Sequence, residues 1–276
     1  LQCQKCNLII RYPVPSQKEL DDIYTKEYFF NNNLLEKNFA NCYGYINYSQ
    51  EKKNRQQDYL EFFKLLRNYL PDSPRGTSLL DYGCGLGHLM EVAKNHDFHV
   101  YGIERNHYAV SYIKNQYNYA VKHVDEFENS DTFKKFDIIT FFDIIEHLPD
   151  PQEALKMAFD KLKDDGILAI LTTDMSSPTA RILGKKFEDL RRLDHIHLFS
   201  KKNLTQFLLK NNFKTLQIKK FGQTFNMETL SNRLQNVSFI LNKTCFFFLE
   251  LFPFLKKYSL YINPGTKMLI FAKKIT

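Results

Sequence analysis

Gly83, Gly85 and Gly87 form a G-x-G-x-G turn behind the apolar run Leu79-Leu80-Asp81-Tyr82, and Glu104 closes the next run, Val100-Tyr101-Gly102-Ile103. Glycine has no Cβ, so such a turn lets backbone come close to a ligand. A carboxylate at the end of the following strand can accept hydrogen bonds from both hydroxyls of a ribose. With Leu89, Met90, Val92 and Ala93 starting a helix in between, the order strand, glycine turn, helix, strand, acid builds a nucleotide pocket. The dinucleotide fingerprint G-x-G-x-x-G needs its third glycine where His88 stands, which weakens a nicotinamide-dinucleotide reading. A glycine turn that serves the backbone alone is the alternative.

A second group of reactive side chains follows the run from Phe136 to Phe142, in Asp143-Ile144-Ile145-Glu146-His147-Leu148-Pro149-Asp150-Pro151, and returns in His195-Ile196-His197. Imidazole titrates near the working pH, so His147, His195 and His197 are candidates for removing a proton from an acceptor. His195 and His197 alternate, which on an extended segment places them on one face. Histidines hydrogen-bonded for structure at the end of a sheet are the competing explanation. Close to the start, Cys3-Gln4-Lys5-Cys6 brings two thiols together, half the ligand set of a tetrahedral zinc site. Unpaired surface thiols are the alternative there.

These groups need a scaffold, and the hydrophobic pattern supplies one. It predicts strands over 78–82, 98–103, 120–124, 136–142, 166–173, 213–221 and 267–273, with helices over 88–96, 107–118, 151–162 and 201–210. Strand and helix alternating at that spacing imply an α/β fold with a doubly wound, Rossmann-like, parallel sheet of seven strands. Asp150-Pro151 suits a helix start, with Glu153 favourable to the dipole, and Asp165-Gly166 reads as the turn into the next strand. Upstream, 17–24 and 48–70 read as helical, and Pro71 stops the second. The expected organisation is a cap over 1–75 and a nucleotide-binding domain over 76–276, with 224–264 as a lid-like insertion. Tyr24, Tyr28, Tyr43 and Tyr45 in the cap are candidate ligand contacts, ordinary packing being the alternative.

Within the insertion, Asn236, Lys243, Glu250 and Lys257 recur every seven residues in an otherwise apolar run. As a helix it would show one narrow polar stripe and bury most of its circumference. Lys243, Glu250 and Pro253 argue against a membrane span. A lid or homodimer helix is one expectation, and an interfacial helix giving peripheral membrane contact through 229–258 is its rival.

Composition narrows the partners. The net charge of +7 is modest for 276 residues and the lysines are scattered, so solvated surface is favoured over nucleic acid. The 5 cysteines show no secreted disulfide spacing, which fits a reducing cytoplasm, with membrane-peripheral placement as the variant.

Gly83-Cys84-Gly85-Leu86-Gly87 resembles motif I of class I S-adenosylmethionine-dependent methyltransferases. The strand with Asp143 to Pro151 resembles motif IV of their ubiquinone-biosynthesis-like branch, in which E-H-x-x-D-P follows F-D-x-I. Gly166-Ile167-Leu168-Ala169-Ile170 fits the fifth strand, and His195-Ile196-His197-Leu198-Phe199-Ser200 is similar to the branch's H-x-H-x-F-S approach to the next helix. The resemblance runs in order over residues 1–221 and extends to the type 11, 12 and 23 methyltransferase group. The start is similar to the second half of a zinc-ribbon preface found on bacterial small-molecule methyltransferases, its first half being absent.

The resemblance implies S-adenosylmethionine as cofactor and S-adenosylhomocysteine as product. It implies that Asp81 binds the methionyl end, that the backbone at Gly83, Gly85 and Gly87 passes beneath it, and that Glu104 holds the ribose. Asp125, after the third strand, would contact the adenine, and Phe141 and Phe142 would flank the adenine or the methyl group. In related quinone O-methyltransferases E-x-x-E-H can hold a divalent cation, and Asp143, Glu146 and His147 keep that spacing; bound zinc or magnesium is nonetheless not expected. No N-P-P-Y or D-P-P-Y follows the fourth strand, so a small-molecule acceptor is favoured over nucleic acid. O-methylation of a sugar or lipid-linked sugar is the leading expectation. A quinone-type O-methyltransferase and a S-adenosylmethionine-binding module without transfer are the alternatives.

Overall fold

Short apolar runs, buried on both faces, become the central strands and longer amphipathic runs become helices. The computed structural model describes residues 1–24, 29, 52–70, 75–128, 135–227, 230–231 and 239–275. Tyr28, Tyr43 and Tyr45 lie outside these described residues. In chain order the strands are β1 (Ile9–Ile10), β2 (Ser78–Tyr82), β3 (His99–Glu104), β4 (Ala120–His123), β5 (Phe136–Phe142), β6 (Leu162–Thr173), β7 (His197–Leu198), β8 (Phe213–Asn226) and β9 (Ser259–Lys274). The helices are α1 (Gln17–Ile23), α2 (Lys52–Leu66), α3 (His88–Lys94), α4 (His107–Tyr117), α5 (Val124–Glu128), α6 (Pro151–Lys161), α7 (Pro178–Leu183), α8 (Glu188–Arg191), α9 (Lys201–Lys210) and α10 (Phe239–Leu251).

Seven strands form one sheet in the order β4-β3-β2-β5-β6-β9-β8. β2 sits between β3 and β5, all parallel, so the turn after β2 opens where the strand order reverses. The sheet is mixed rather than wholly parallel, because β9 pairs antiparallel with both β6 and β8. β9 comes back along β8 as the second strand of a ribbon, pairing from Asn226↔Ser259 to Phe213↔Lys274, which sets it antiparallel to its neighbours. The β8–β9 pair is also longer than the sequence pattern indicates. It continues through Gln223↔Ile262 to Asn226↔Ser259, so the ends of the expected insertion are a strand ribbon. β6 likewise begins at Leu162, ahead of the turn expected at Asp165-Gly166, and meets β5 through a bulge between Phe136 and Ile138.

Leu79 and Leu80 point to opposite faces of the sheet, as successive strand residues must, and each is fully buried. On one face Leu79 joins Phe62, Leu66, Met90, Ile113 and Phe271; on the other Leu80 joins Ile139, Leu155, Ile170, Leu204 and Phe213. Burying each such side chain contributes about 1.5–3 kcal/mol. α2 therefore shares the core of the sheet. Its Asp58 carboxylate accepts from the Thr224 amide at 2.8 Å and the Thr224 hydroxyl at 2.7 Å, tying the helix to β8.

Two features bring the N-terminal residues to the carboxyl end of the sheet. β1 pairs antiparallel with β7, Ile10 opposite His197, and the Arg11 guanidinium donates to the carbonyls of His195 and Arg192. α1 starts at a capping box between Ser16 and Glu19. Its last turn delivers Tyr24, whose carbonyl accepts from the Asn106 side chain at 2.8 Å.

α10 departs from expectation. Of its apolar residues Leu249 is buried, but Phe246, Phe247, Phe248 and Leu251 are all at least half exposed. Within this one chain, the described part of the helix therefore leaves most of its apolar side chains uncovered. Pro253 ends it and starts a short 3-10 turn. Among the described residues no helix is long and apolar enough to cross a membrane.

Candidate functional site

A cavity opens at the carboxyl end of β2, β3 and β5, where Asp81, Gly83, Cys84, Gly85 and Glu104 form one wall. The amides of Gly83 and Cys84 both donate to the Ile103 carbonyl, at 2.8 and 3.1 Å, which folds the turn across the end of β3. Gly83, Gly85 and Gly87 all have positive φ, at 77°, 54° and 77°. A Cβ on Gly83 would come within 2.0 Å of Ile144 Cδ1 and push that side chain aside, and the φ of 77° favours glycine there whatever the space. Glu104 is gripped by backbone: Gly85 N–H donates to Oε2, and Arg105 and Asn106 N–H donate to Oε1, each at 2.8 Å. Asp81 Oδ1 accepts from the Thr140 hydroxyl at 2.7 Å.

Both acids are buried. Burial, reinforced by the nearby Glu104 charge, pushes Asp81 up to about 7 against the pull of Thr140. Burial also raises Glu104, against the backbone amides that favour its ionised form. Two desolvated carboxylates at one wall call for a ligand that brings positive charge and hydroxyl donors. S-adenosylmethionine carries a sulfonium, an ammonium and a ribose, and it fits that donor set.

The structure brings most but not all of the expected cofactor residues to this wall. Gly87 caps the start of α3 and faces Ile113, away from the cavity lining. Phe142 lines the cavity, whereas Phe141, the next position back, points into the opposite core. Asp125 lies at the start of α5 with its side chain 78% exposed, 3.3 Å from His123 Nδ1, and its neighbour Val124 takes the cavity position.

The opposite wall is built by side chains from distant segments: Tyr24, Arg55, Asp143, Glu146, His147 and His195. His147 Nδ1 lies 3.0 Å from the Asp194 carbonyl and 3.3 Å from its carboxylate Oδ2. A carbonyl can only accept, so Nδ1 carries the proton and Nε2 keeps the lone pair. Burial lowers the His147 pKa although Asp194 pulls it up, leaving the ring neutral at pH 7. Asp194 is itself buried and held by Arg192, Nη2 to Oδ2 at 2.8 Å. His195 sits edge-on to His147, with ring centroids 4.7 Å apart. Burial, then the Arg192 charge, drive its pKa well down. His197 is turned away from the cavity, its Nδ1 donating to the Leu148 carbonyl at 3.1 Å.

The cation triad implied by the sequence changes membership. Asp143, at φ 56°, is taken by Lys267 at 2.6 Å, with Arg55 at 4.0 Å. His195 stands in its place: among the described residues Glu146, His147 and His195 offer one ligand atom each within 4.8 Å of one another. Glu146 Oε2 is buried with no hydrogen-bond partner. Burial, with Asp143 alongside, pushes the Glu146 pKa up to about 8. Outside the cavity lining, Cys3 and Cys6 occupy a tight turn in which the Cys3 amide donates to the Leu8 carbonyl at 2.8 Å. Backbone amides of Cys6 and Lys5 hold the Cys3 thiol below its usual value.

Sequence reasoning did not single out Arg11, Arg55, Asp189, Arg192, Asp194 or Lys267. Lys267 is the first residue of the predicted last strand, and Asp194 directly precedes the histidine pair. Those positions were signals in hindsight only: Arg11, Arg55, Asp194 and Lys267 take their roles from partners far away in sequence, while Arg192 holds Asp194 two residues on and Asp189 lies 3.6 Å from His195 Nδ1.

Comparison with known proteins agrees with this pocket. A family model described as a methyltransferase domain matches residues 52–218. The ubiquinone biosynthesis O-methyltransferase of Coxiella burnetii is 32% identical over 105 residues, 36% of this chain and 44% of that protein. The protein of the same name from Actinobacillus pleuropneumoniae is 31% identical over 109 residues, 35% of this chain and 46% of its own. The chain thus spans less than half the length of these curated relatives. Magnesium protoporphyrin IX methyltransferase from Synechocystis, solved with bound S-adenosylhomocysteine, superposes with TM-score 0.57 at 13% identity, over 94% of this chain and 100% of that one. A SAM-dependent methyltransferase from Archaeoglobus fulgidus gives 0.53 at 22%, over 82% and 99%. At these identities the two structures speak to the fold. With over half its length matched by the family model, the chain belongs to the methyltransferase domain family, as a class I S-adenosylmethionine-dependent methyltransferase.

Proposed function

We propose that this chain methylates a hydroxyl oxygen of a small-molecule acceptor, with His147 as the general base. The observation that carries the reading is the buried contact of His147 Nδ1 with Asp194, which leaves Nε2 as the basic nitrogen of a ring on the cavity wall. Bound S-adenosylmethionine supplies a methyl group activated by its sulfonium. Asp81 and Glu104 hold the methionyl and ribose ends, and the glycine backbone runs beneath. His147 Nε2 takes the acceptor's proton as the oxygen forms its bond to the methyl carbon, and Asp194 stabilises the imidazolium. Phe142 and Tyr59 exclude water from the reacting atoms, their rings 6.1 Å apart on the cavity wall.

The relatives named ubiquinone biosynthesis O-methyltransferase favour a phenolic or quinol acceptor. The zinc-ribbon-like start favours a sugar, free or lipid-linked. Both are hydroxyl acceptors, and residues 1–75 and 224–264 are assigned as the cap and lid that choose between them.

The experiment incubates the protein with S-adenosylmethionine and two acceptor panels, dihydroxyphenols and nucleotide-linked sugars, and follows S-adenosylhomocysteine and the methylated product by mass. His147→Gln should retain S-adenosylmethionine binding and lose at least about a hundredfold in kcat. In the wild type the low-pH limb of kcat should lie below the ordinary histidine value, because burial lowers this group. Binding without S-adenosylhomocysteine release across both panels would make the chain a binding module. Unchanged turnover in His147→Gln would remove the base.

A further inference from the structure

Charge is divided very unevenly along the chain. From His195 to the C-terminus there are thirteen lysines and arginines against two glutamates, whereas residues 1–194 hold twenty-five basic against twenty-nine acidic residues. The excess positive charge of the protein thus belongs wholly to its last third. The same stretch carries the exposed apolar residues of α10, of the 3-10 turn after it and of the ribbon tip. Phe246, Phe247, Leu251, Phe252, Phe254 and Leu260 range from 41% to 63% exposed. The rings of Phe247 and Phe248 lie 6.2 Å apart and those of Phe252 and Phe254 6.1 Å apart, and grouped apolar exposure of this kind marks a surface with a partner.

A neighbouring element repeats the combination. α7 is fastened to the start of β9 by the Thr179 hydroxyl, which donates to the Pro264 carbonyl at 2.8 Å. It presents Ile182, 84% exposed, and is followed by the exposed Lys185 and Lys186. No acidic residue lies between Pro178 and Phe187.

Topology fixes where this surface lies. Lys267 pairs with Thr173, the last residue of β6, and lines the cavity. The residues of β9 before it therefore run out beyond the carboxyl end of the sheet, the end at which the cavity opens.

We propose that α10, the turn after it, the ribbon tip and α7 together form a docking face for an anionic lipid surface, with phenylalanines entering the interface and lysines meeting the headgroups. The charge of these segments selects that occupant: residues 178–187 and 239–266 hold six basic residues, Arg181, Lys185, Lys186, Lys243, Lys256 and Lys257, against one acid, Glu250. Segments that combine exposed apolar side chains with an excess of basic residues have the composition of an interfacial anchor. A second copy of the chain would set one positive face against another across a two-fold axis. The proposal stands whichever acceptor is methylated. Docked in this way, the cavity mouth faces the lipid surface.

The test uses the full chain and vesicle flotation, comparing vesicles of phosphatidylglycerol and phosphatidylcholine in equal parts with vesicles of phosphatidylcholine alone. The wild type should float with the anionic vesicles and lose binding as salt is added. Phe246→Ser with Phe247→Ser should reduce partitioning at least about tenfold. Lys185→Gln with Lys186→Gln should reduce it by about tenfold or more, since each cation contributes about fivefold at an anionic surface. All four positions are exposed and outside the cavity lining, so both variants should bind S-adenosylmethionine like the wild type, which checks that they are folded. Absence of the wild type from the floating fraction, or equal flotation of either variant, would overturn the proposal. A dimer by light scattering that the phenylalanine pair dissolves, with no vesicle binding, would assign the face to a second copy instead.

Discussion

The two walls of the cavity are made in opposite ways. The cofactor wall comes from one short stretch, 81–104 with Thr140 alongside, and its key contacts are backbone amides closing on Glu104. The histidine wall gathers Tyr24, Arg55, His147, Asp194 and Lys267 from five separate segments, and its key contacts are between side chains. A wall made of backbone tolerates little change at the glycine that shapes it. One made of paired side chains can lose chemistry while keeping its shape.

Gly83→Val should show the first half of that contrast most strongly. A β-branched residue is disfavoured at φ 77°, and its Cβ would collide with Ile144. S-adenosylmethionine binding should vanish by calorimetry, with thermal stability lower by about 2 kcal/mol or more. If Gly83→Val bound the cofactor normally, the turn would not be the cradle and the contrast would collapse.

Asp194→Asn addresses the second half. Its carboxylate is buried between His147 and Arg192, so the variant keeps the carbonyl that fixes the tautomer but loses the anion that stabilises the imidazolium. Turnover should fall about a hundredfold or more, while the S-adenosylmethionine Kd stays within about twofold. A matched loss of binding and turnover would mean that Asp194 supports the whole cavity and not the histidine wall alone.

That division also decides what the sequence could reveal. The β2 turn, Glu104 and the alternation of strands and helices are local patterns, set by φ, by short apolar runs and by capping, and they are legible directly. Asp143 to His147 was legible as a cluster, but not the exchange of Asp143 for His195, because Lys267, 124 residues away, captures the Asp143 carboxylate. Phe141 and Phe142 illustrate the same limit at the scale of one residue. Pleating sends them to opposite faces, and only the register of β5 against β2 and β6 says which one meets the cavity. The antiparallel β9 and its long ribbon with β8 depend on a return path that apolar periodicity does not encode.

A smaller effect separates the charge of the cofactor wall from its shape. Asp81 is pushed up to about 7 by burial and by Glu104. Below that value it is protonated and offers the cationic ligand no charge; above it the carboxylate is ionised and attracts the ligand. Affinity for S-adenosylmethionine should therefore tighten about tenfold between pH 6 and 8. In Asp81→Asn the profile should be flat at the weaker, low-pH level. The sign also applies to the ligand-free fold. A carboxylate whose folded pKa is raised holds its proton longer when folded, so its contribution to stability is full at acid pH and is lost as pH rises through about 7. Ligand affinity and ligand-free stability should thus move in opposite directions with pH, and Asp81→Asn should flatten both.

Asp125 supplies the smallest expected change and the sharpest boundary for the cofactor wall. Position after the third sheet strand suggests an adenine contact, but its side chain is largely in solvent beside His123, and Val124 fills the cavity position. His123 does not depend on that contact, because its Nε2 is held by the Arg105 carbonyl at 2.6 Å and its ring stacks on His107 with centroids 3.8 Å apart. A contact made by so exposed a carboxylate contributes about 0–1 kcal/mol. Asp125→Ala should accordingly leave the S-adenosylmethionine Kd within about twofold and stability within about 0.5 kcal/mol, measured by calorimetry and thermal melts. A tenfold loss of affinity would require the start of α5 to swing its carboxylate inward when the adenine binds. The cofactor wall would then need a distant side chain after all, and would resemble the histidine wall more than its backbone geometry implies.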